Sequence, residues 1–532
     1  MNLVLVLALF GCQIASPGDR STTGDGAEGG TTPDVDASSA PVAPGFAPRD
    51  GGTPDPAQPV PPPPPGREDV EAQIAEVFAA ASTQAPTVTW GVLIVDDRGR
   101  EVYSLRPDEP VLPASTLKVI TAAAALEVFG PDHRFVTHVE STVPIGPDGE
   151  LQGDLVIVGD GDPALATDEY IRWIYPARPA TRMSVLADTL VAQGLRVVRG
   201  DVVGRSARDE GEPLAEGWFD RYLSDFDARH HAELTVDAGL ETIVTYEGDD
   251  PAGGEAPPSV IAPDPTGPDA SDAPGNSGTG EVREPLDVRV DHVPDPPENA
   301  ARALVAMLED RGVTVLGAGR SGTTDATSSR LATVSSPPLV DLMRFAVEYS
   351  DNHLADGVFR ALGRAHTGVV SWDAGAVAVT AAMADLGIDL SAAVLADGSG
   401  LSREDRLATR ALVEVDRLLF GEQWLSLLAQ MGQSGTLRNR LRDTVADGVF
   451  HGKTGSLRDV MAISGVAVGP DGQRHHVAMV ANDAMDADRW VARAAMDEVI
   501  LLLSADLHAC QVERLPVDEP GELELGELAI AC

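Results

Sequence analysis

Only two of the 39 basic residues in this 532-residue chain are lysines, Lys118 and Lys453. All the others are arginine. Arginine keeps its charge at any usable pH, whereas a buried lysine can shift its pKa and release a proton. The two lysines are therefore the first positions at which to expect chemistry. Lys118 closes the stretch Ser115-Thr116-Leu117-Lys118, and Lys453 opens Lys453-Thr454-Gly455. A fold that uses both must bring the two ends of the chain together.

The patterning around the lysines points the same way. From Thr87 to Asp96 the residues suit a strand, Asp97-Arg98-Gly99-Arg100 reads as a turn, and Glu101 to Leu105 returns as a second strand. Ser115 to Phe129 is an alanine-rich run ending at Gly130-Pro131, a helix with a clear stop. Near the other end, Val460 to Val468 and His475 to Val480 flank Gly469-Pro470-Asp471-Gly472, another hairpin. An expected strand, Val449 to Leu457, precedes it and carries the second lysine, and a last helix covers about Ala487 to Leu503. The expected fold class is α+β: a mostly antiparallel sheet built from both chain ends and covered by helices.

The middle, from about Phe135 to Leu331, differs. It has short β-like runs, including Leu155 to Val158 and Leu195 to Val203, and a helix at Ala300 to Glu309. We read 67–134 and 331–508 as one domain and 135–330 as one or two β-rich insertions, with a low-complexity loop at 248–280. Residues 509–532 form a C-terminal tail. If the third cysteine, Cys12, is lipidated, Cys510 and Cys532 within that tail make an even pair, expected to form a disulfide in an oxidising compartment, the alternative being two unpaired thiols.

At the amino end an apolar run from Leu3 to Gly11 is too short to span a bilayer and long enough for an export signal. Leu9-Phe10-Gly11-Cys12 resembles a bacterial lipoprotein cleavage box, with Phe10 an unusual occupant, so residues 1–12 read as a signal and Cys12 as a lipidated anchor, the alternative being an ordinary signal peptide with an incidental cysteine. Residues 13–66, ending in the proline run Pro61 to Pro65, suit a disordered, partly stiff tether. The formal net charge of −44 argues against nucleic acid or an anionic membrane face as a partner.

Three motifs carry the chemistry. Ser115 and Lys118 lie three apart on one helix face, near a helix start that favours negative charge. Ser350-Asp351-Asn352 follows the helix-like run Leu339 to Tyr349. His451-Gly452-Lys453-Thr454-Gly455-Ser456-Leu457 offers strand backbone to an extended peptide, with a cation and a hydroxyl for a carboxylate. Taken singly, each could be a helix cap, a helix-end turn or a strand edge. Together, with the only two lysines inside two of them, they point to a serine acyl-transfer site.

With these motifs the chain resembles the D-alanyl-D-alanine carboxypeptidase/endopeptidase family of low-molecular-mass penicillin-binding proteins, the class with large insertions. The likeness runs from about Glu68 to Leu503. It includes Gly153-Asp154-Leu155, Gly159 to Pro163, Gly200 to Val203, Gly217-Trp218-Phe219, Asp397 to Ser402 and Ser434-Gly435-Thr436-Leu437. Asp356 stands where the family commonly has glutamate. The resemblance implies a penicillin-binding, β-lactamase-like domain and a penicillin-sensitive enzyme acting on peptidoglycan stem peptides in the periplasm or cell envelope, with β-lactams as covalent inhibitors. It implies Ser115 as nucleophile, Lys118 as its base, Ser350 as a proton relay and Asn352 as an orienting group. Lys453 and Thr454, with Gly455 and Ser456 on the same strand, would hold the substrate, and no cofactor or metal is required. Asp397 to Ser402 is expected to shape a turn near the cleft. Two other readings compete: a β-lactamase-like hydrolase of the same fold, and a catalytically silent wall-binding protein.

Overall fold

The computed structural model describes residues 67–205, 211–245, 285–323, 329–514 and 528–532. The expected leader at 1–12, tether at 13–66 and low-complexity loop at 248–280 lie outside these described residues.

Both ends of the chain supply one six-stranded sheet. In chain order its flanking pieces are helix α1 (Arg67–Gln84), strands β1 (Thr89–Asp96) and β2 (Glu101–Leu105), helix α2 (Leu117–Phe129) and helix α3 (Asn352–Thr367). They continue with strands β3 (Ala429–Gln430), β4 (Phe450–Leu457), β5 (Val460–Val468) and β6 (Arg474–Asn482), and helix α4 (Ala487–Leu507). The strand order is β3-β4-β5-β6-β1-β2 and every pairing is antiparallel. Thr89 pairs with Asn482 and Asp96 with His475, so the first strand closes on the last.

Helices cover both faces of this sheet, which is why β1 is almost continuously apolar. Trp90, Val92 and Ile94 point to one side and pack with Ile74 of α1 and Val499 of α4. Leu93 and Val95 point to the other and join α2, α3 and the helices Leu339–Glu348, Trp372–Asp385 and Thr409–Leu418. That alternation follows the two-residue period of a strand. In α2 every residue from Leu117 to Leu126 is buried, and its alanines let neighbouring helices approach closely. The helix stops at Gly130, whose φ of +78° suits glycine.

The residues between form further sheets. A mixed five-stranded sheet runs in the order Gly319–Gly322, Val202–Arg205, Leu155–Val158, Val136–Ser141, Ser329–Ser335. The helices Ser184–Ala192 and Pro296–Asp310 pack on it through Leu186, Leu190, Leu304 and Leu308. Asp295 caps the second helix through the Glu298 N–H, so this helix begins four residues before the expected Ala300. The run Leu195 to Val203, expected as one β-like unit, divides into Val197–Val198 and Val202–Arg205 on different sheets. Gly200 explains the step: a Cβ there would lie 2.1 Å from Asp154 Oδ1, while the Asp201 N–H donates to that same oxygen at 2.8 Å.

Candidate active site

Ser115 sits in a single 3-10 turn, Ala114–Thr116, that leads into α2 rather than in the helix itself. Ala114 adopts φ +48°, and the Thr116 hydroxyl ties back to Pro113 O at 2.7 Å. Lys118 then falls one residue inside the helix and 1 % exposed. Its ammonium donates to Ser115 Oγ at 3.0 Å, Asn352 Oδ1 at 2.8 Å and Ser399 O at 2.7 Å. Burial draws the Lys118 pKa down to about 8, against the opposing pull of Asp356, Asp397, Asp351 and Asp405. An amine so placed can accept the serine proton near neutral pH.

The second motif turns the corner from the helix Leu339–Glu348 into α3. Ser350 holds φ +65°, an uncommon conformation for a residue with a side chain. Asp351 is the helix cap, accepting the Leu354 N–H at 2.9 Å. Asn352 faces both ways: Oδ1 accepts from Lys118, and Nδ2 donates to Asp227 O at 3.0 Å.

The third motif lies on β4. Its neighbour β3 pairs only with His451 and Gly452, so the β4 edge from Lys453 to Leu457 has no strand beside it among the described residues. Lys453 itself is fully buried, its amine donating to Thr454 O at 2.7 Å. Burial and the neighbouring Lys118 hold its pKa well below the usual lysine value. Thr454 Oγ1 donates to Thr436 Oγ1 at 2.9 Å, which brings the Ser434-to-Leu437 segment to the site. A Cβ on Gly455 would lie 3.0 Å from Pro113 O, so glycine lets the strand press against the turn that carries Ser115.

The loop Asp397 to Ser402 makes the floor. Asp397 accepts the N–H groups of Ser399 (3.0 Å), Gly400 (2.6 Å) and Ser402 (2.7 Å), and the Trp218 indole N–H at 2.8 Å. Asp356, on α3, accepts the Gly398 N–H at 2.9 Å. Burial, with Asp397 nearby, pushes the Asp356 carboxyl well above the ordinary range. The loop thus acts on Lys118 through a carbonyl and a field, in keeping with the expected turn beside the cleft.

A cavity of about 630 Å³ opens over these groups and is lined by Ser115, Ser350, Asn352 and Ser456. The sequence matches the family described as D-Ala-D-Ala carboxypeptidase 3 (S13) over residues 70–267 and 280–503. The chain belongs to this family. It is 31 % identical over 502 residues to a D-alanyl-D-alanine carboxypeptidase of Actinomadura sp. (strain R39), covering 86 % of this chain and 89 % of that one. It is 29 % identical over 432 residues to the carboxypeptidase DacB of Mycolicibacterium smegmatis, covering 78 % and 79 %. Its fold matches penicillin binding protein 4 (dacB) from Haemophilus influenzae with a TM-score of 0.63 at 22 % identity, over 82 % of this chain and 99 % of that one. The expected fold, an antiparallel transpeptidase-type sheet with further sheets added, stands.

For this member of the S13 family the structure brings Ser115, Lys118, Ser350 and Asn352 to one cleft, with Lys453 to Ser456 along its strand. It also adds groups that sequence reasoning missed. Arg221, Tyr222, Asp225 and Asp227 line the same cavity from the central segment. Arg489, on α4, donates to Ser456 Oγ at 2.7 Å. Arg178 forms a buried ion pair with Asp351. Two sequence signals lie beside them: Gly217-Trp218-Phe219, whose tryptophan reaches Asp397, and Gly159 to Pro163, whose last carbonyl accepts from Arg178.

Proposed function

We propose that the chain is a serine-type, penicillin-sensitive D-Ala-D-Ala carboxypeptidase, with endopeptidase action open to the same site. The observation that carries the roles is the buried Lys118 amine, 3.0 Å from Ser115 Oγ and 2.8 Å from Asn352 Oδ1. Ser115 attacks the carbonyl between the two terminal D-alanines of a stem peptide while neutral Lys118 takes its proton. Ser350 relays a proton to the leaving amine, and Asn352 fixes Lys118 and the substrate amide. The Ser115 and Ser456 N–H groups receive the developing oxyanion. Lys453 and Thr454 bind the substrate carboxylate, whose charge opposes the burial that draws the Lys453 pKa down. Gly455 keeps the strand close enough to Ser115 for this. Water then releases the acyl-enzyme.

A β-lactam would acylate Ser115 and leave slowly. Mass spectrometry of the protein after penicillin treatment should show a long-lived adduct that Ser115→Ala lacks. Rapid penicillin turnover with no adduct would favour a β-lactamase, and D-alanine release undiminished in Ser115→Ala would refute the mechanism. Chromatography of defined muropeptides, cross-linked dimer against monomer, separates carboxypeptidase from endopeptidase action.

We further infer a catalytic domain of 67–134 and 331–508, an insertion of 135–330, a tail of 509–532, and export to the cell envelope on a lipidated Cys12. Family membership supports the envelope location, since the relatives' names are those of D-Ala-D-Ala and DacB carboxypeptidases. Retention of Cys12→Ser in the membrane fraction at the wild-type level would count against the anchor.

A further inference from the structure

The second motif is gripped by two groups that come from far away in the chain. Arg178 belongs to the segment after the short helix Asp168–Trp173, and it is almost fully buried. Its Nε donates to Asp351 Oδ2 at 2.9 Å and its Nη2 to Pro163 O at 3.2 Å. The other Asp351 oxygen, Oδ1, accepts the Leu354 N–H at 2.9 Å. On the next residue, Asn352 Nδ2 donates to Asp227 O at 3.0 Å while Oδ1 takes the Lys118 amine.

Asp351 needs only one oxygen to cap its helix, and any exposed aspartate can do that. What Arg178 adds is a second anchor on a fixed, planar group. That anchor matters because Ser350 sits at φ +65°, a conformation that persists only where the surroundings over-determine it. Release of Asp351 would let the corner relax, and Ser350 and Asn352 would move together. Arg178 therefore lies at the head of a continuous chain of contacts: Arg178 to Asp351, backbone to Asn352, and side chain to Lys118.

We propose that Arg178 is a positioning residue for acylation, holding Asp351 so that Ser350 and Asn352 face Ser115 and Lys118. The proposal rests on the serine acyl-transfer reading given above. Arg178 acts in a second way as well, through charge. Lys118 is faced by Asp351 at the cap of α3, Asp356 of α3, Asp397 of the floor loop, Asp405 just beyond it, Asp227 of the central segment and Lys453 of β4. Asp351 is in turn faced by Arg178 and Arg229, with Tyr170, Tyr175, Asp162 and His353 also within reach of Arg178. Without Arg178, the Asp351 carboxylate acts on Lys118 with less compensation and favours its protonated form. The base is then available only at higher pH.

The test is the acylation of the full-length protein by a fluorescent penicillin, followed from about pH 6 to about pH 10 across the range where a lysine base would titrate. Binding and acylation constants are separated by varying the penicillin concentration. Arg178→Met is compared with Arg178→Lys and with Arg440→Met, which breaks the ion pair of another buried arginine, to the half-buried Asp497 on α4. Arg178→Met should lower the acylation constant by about 10²-fold, the usual cost of a small misplacement, with little change in binding. The acid limb of its pH profile should move to higher pH. Arg178→Lys should recover part of the rate and return the limb toward wild type, and it serves alone if Arg178→Met does not fold. Arg440→Met should lower the melting temperature without moving the limb. The proposal is overturned if both Arg178 variants acylate at the wild-type rate, or if their loss matches Arg440→Met with an unmoved limb. Equal labelling of Ser115→Ala would instead sink the underlying reading, whatever Arg178 does.

Discussion

A lysine can act as a base in this site because its surroundings oppose charge more strongly than its carboxylate neighbours favour it. Burial takes the Lys118 amine down to about 8, while Asp356, Asp397, Asp351 and Asp405 pull the other way. Only the neutral amine accepts the Ser115 proton, so acylation should rise with pH and level off above about 8. A penicillin acylation profile that is flat across that value would contradict the assignment. Lys118→Arg keeps the charge and removes the base, and should cost about 10²–10⁴-fold in acylation. Lys453→Arg should cost less, since the amine there supplies charge rather than accepting a proton. It will still lower the melting temperature, because a larger group enters a fully buried position. The lysine count marks both positions, and the distinct reason for each emerges from the contacts: one amine touches the nucleophile, the other donates to a backbone carbonyl.

Among the elements, the floor loop and the nucleophile turn are fitted so closely that Gly400 has no room for a side chain. Gly400 holds φ +81°, and a Cβ there would lie 1.9 Å from Ala114 O. Gly368, at the end of α3, also holds φ +81° but has open space around it. Gly368→Ala should therefore cost only the conformational penalty of a left-handed residue, about 1–2 kcal/mol, and leave acylation intact. Gly400→Ala adds a backbone collision beside Ser115, so it should lose more stability and slow acylation as well. Thermal unfolding and penicillin labelling of the two variants check this, and equal behaviour would show that the loop does not brace the turn. The motif Asp397 to Ser402 was visible in the sequence as a turn near the cleft. Its grip on Lys118 through Ser399 O was not, because a backbone carbonyl carries no residue-type signature.

For the molecule as a whole, the site sits where the two chain ends and the central segment meet, and α4 links it to the tail. Arg489 near the start of α4 touches Ser456, and Cys510 follows the end of the helix. A helix of 21 residues spans roughly 30 Å, so the tail lies well away from the cleft. There Cys510 and Cys532 are bonded, as expected, and the strands Gln511–Arg514 and Leu528–Ala531 pair beside them. Opening this 22-residue link should release about 3 kcal/mol of loop constraint. In Cys532→Ser the tail should become sensitive to proteolysis while penicillin acylation stays at the wild-type rate; a loss of acylation would mean that the tail supports the site. Local signals in the chain were sufficient for the hairpins, the alanine-rich helix with its glycine stop, the three motifs and the cysteine pair, because turns, periodicity and rare residues act over a few positions. Arg178 and Asp227 could not be picked out that way. They reach the second motif across 173 and 125 residues, and one arginine among so many has no local mark. The folded contacts select them, and the same packing sets how far each lysine is drawn from its charge.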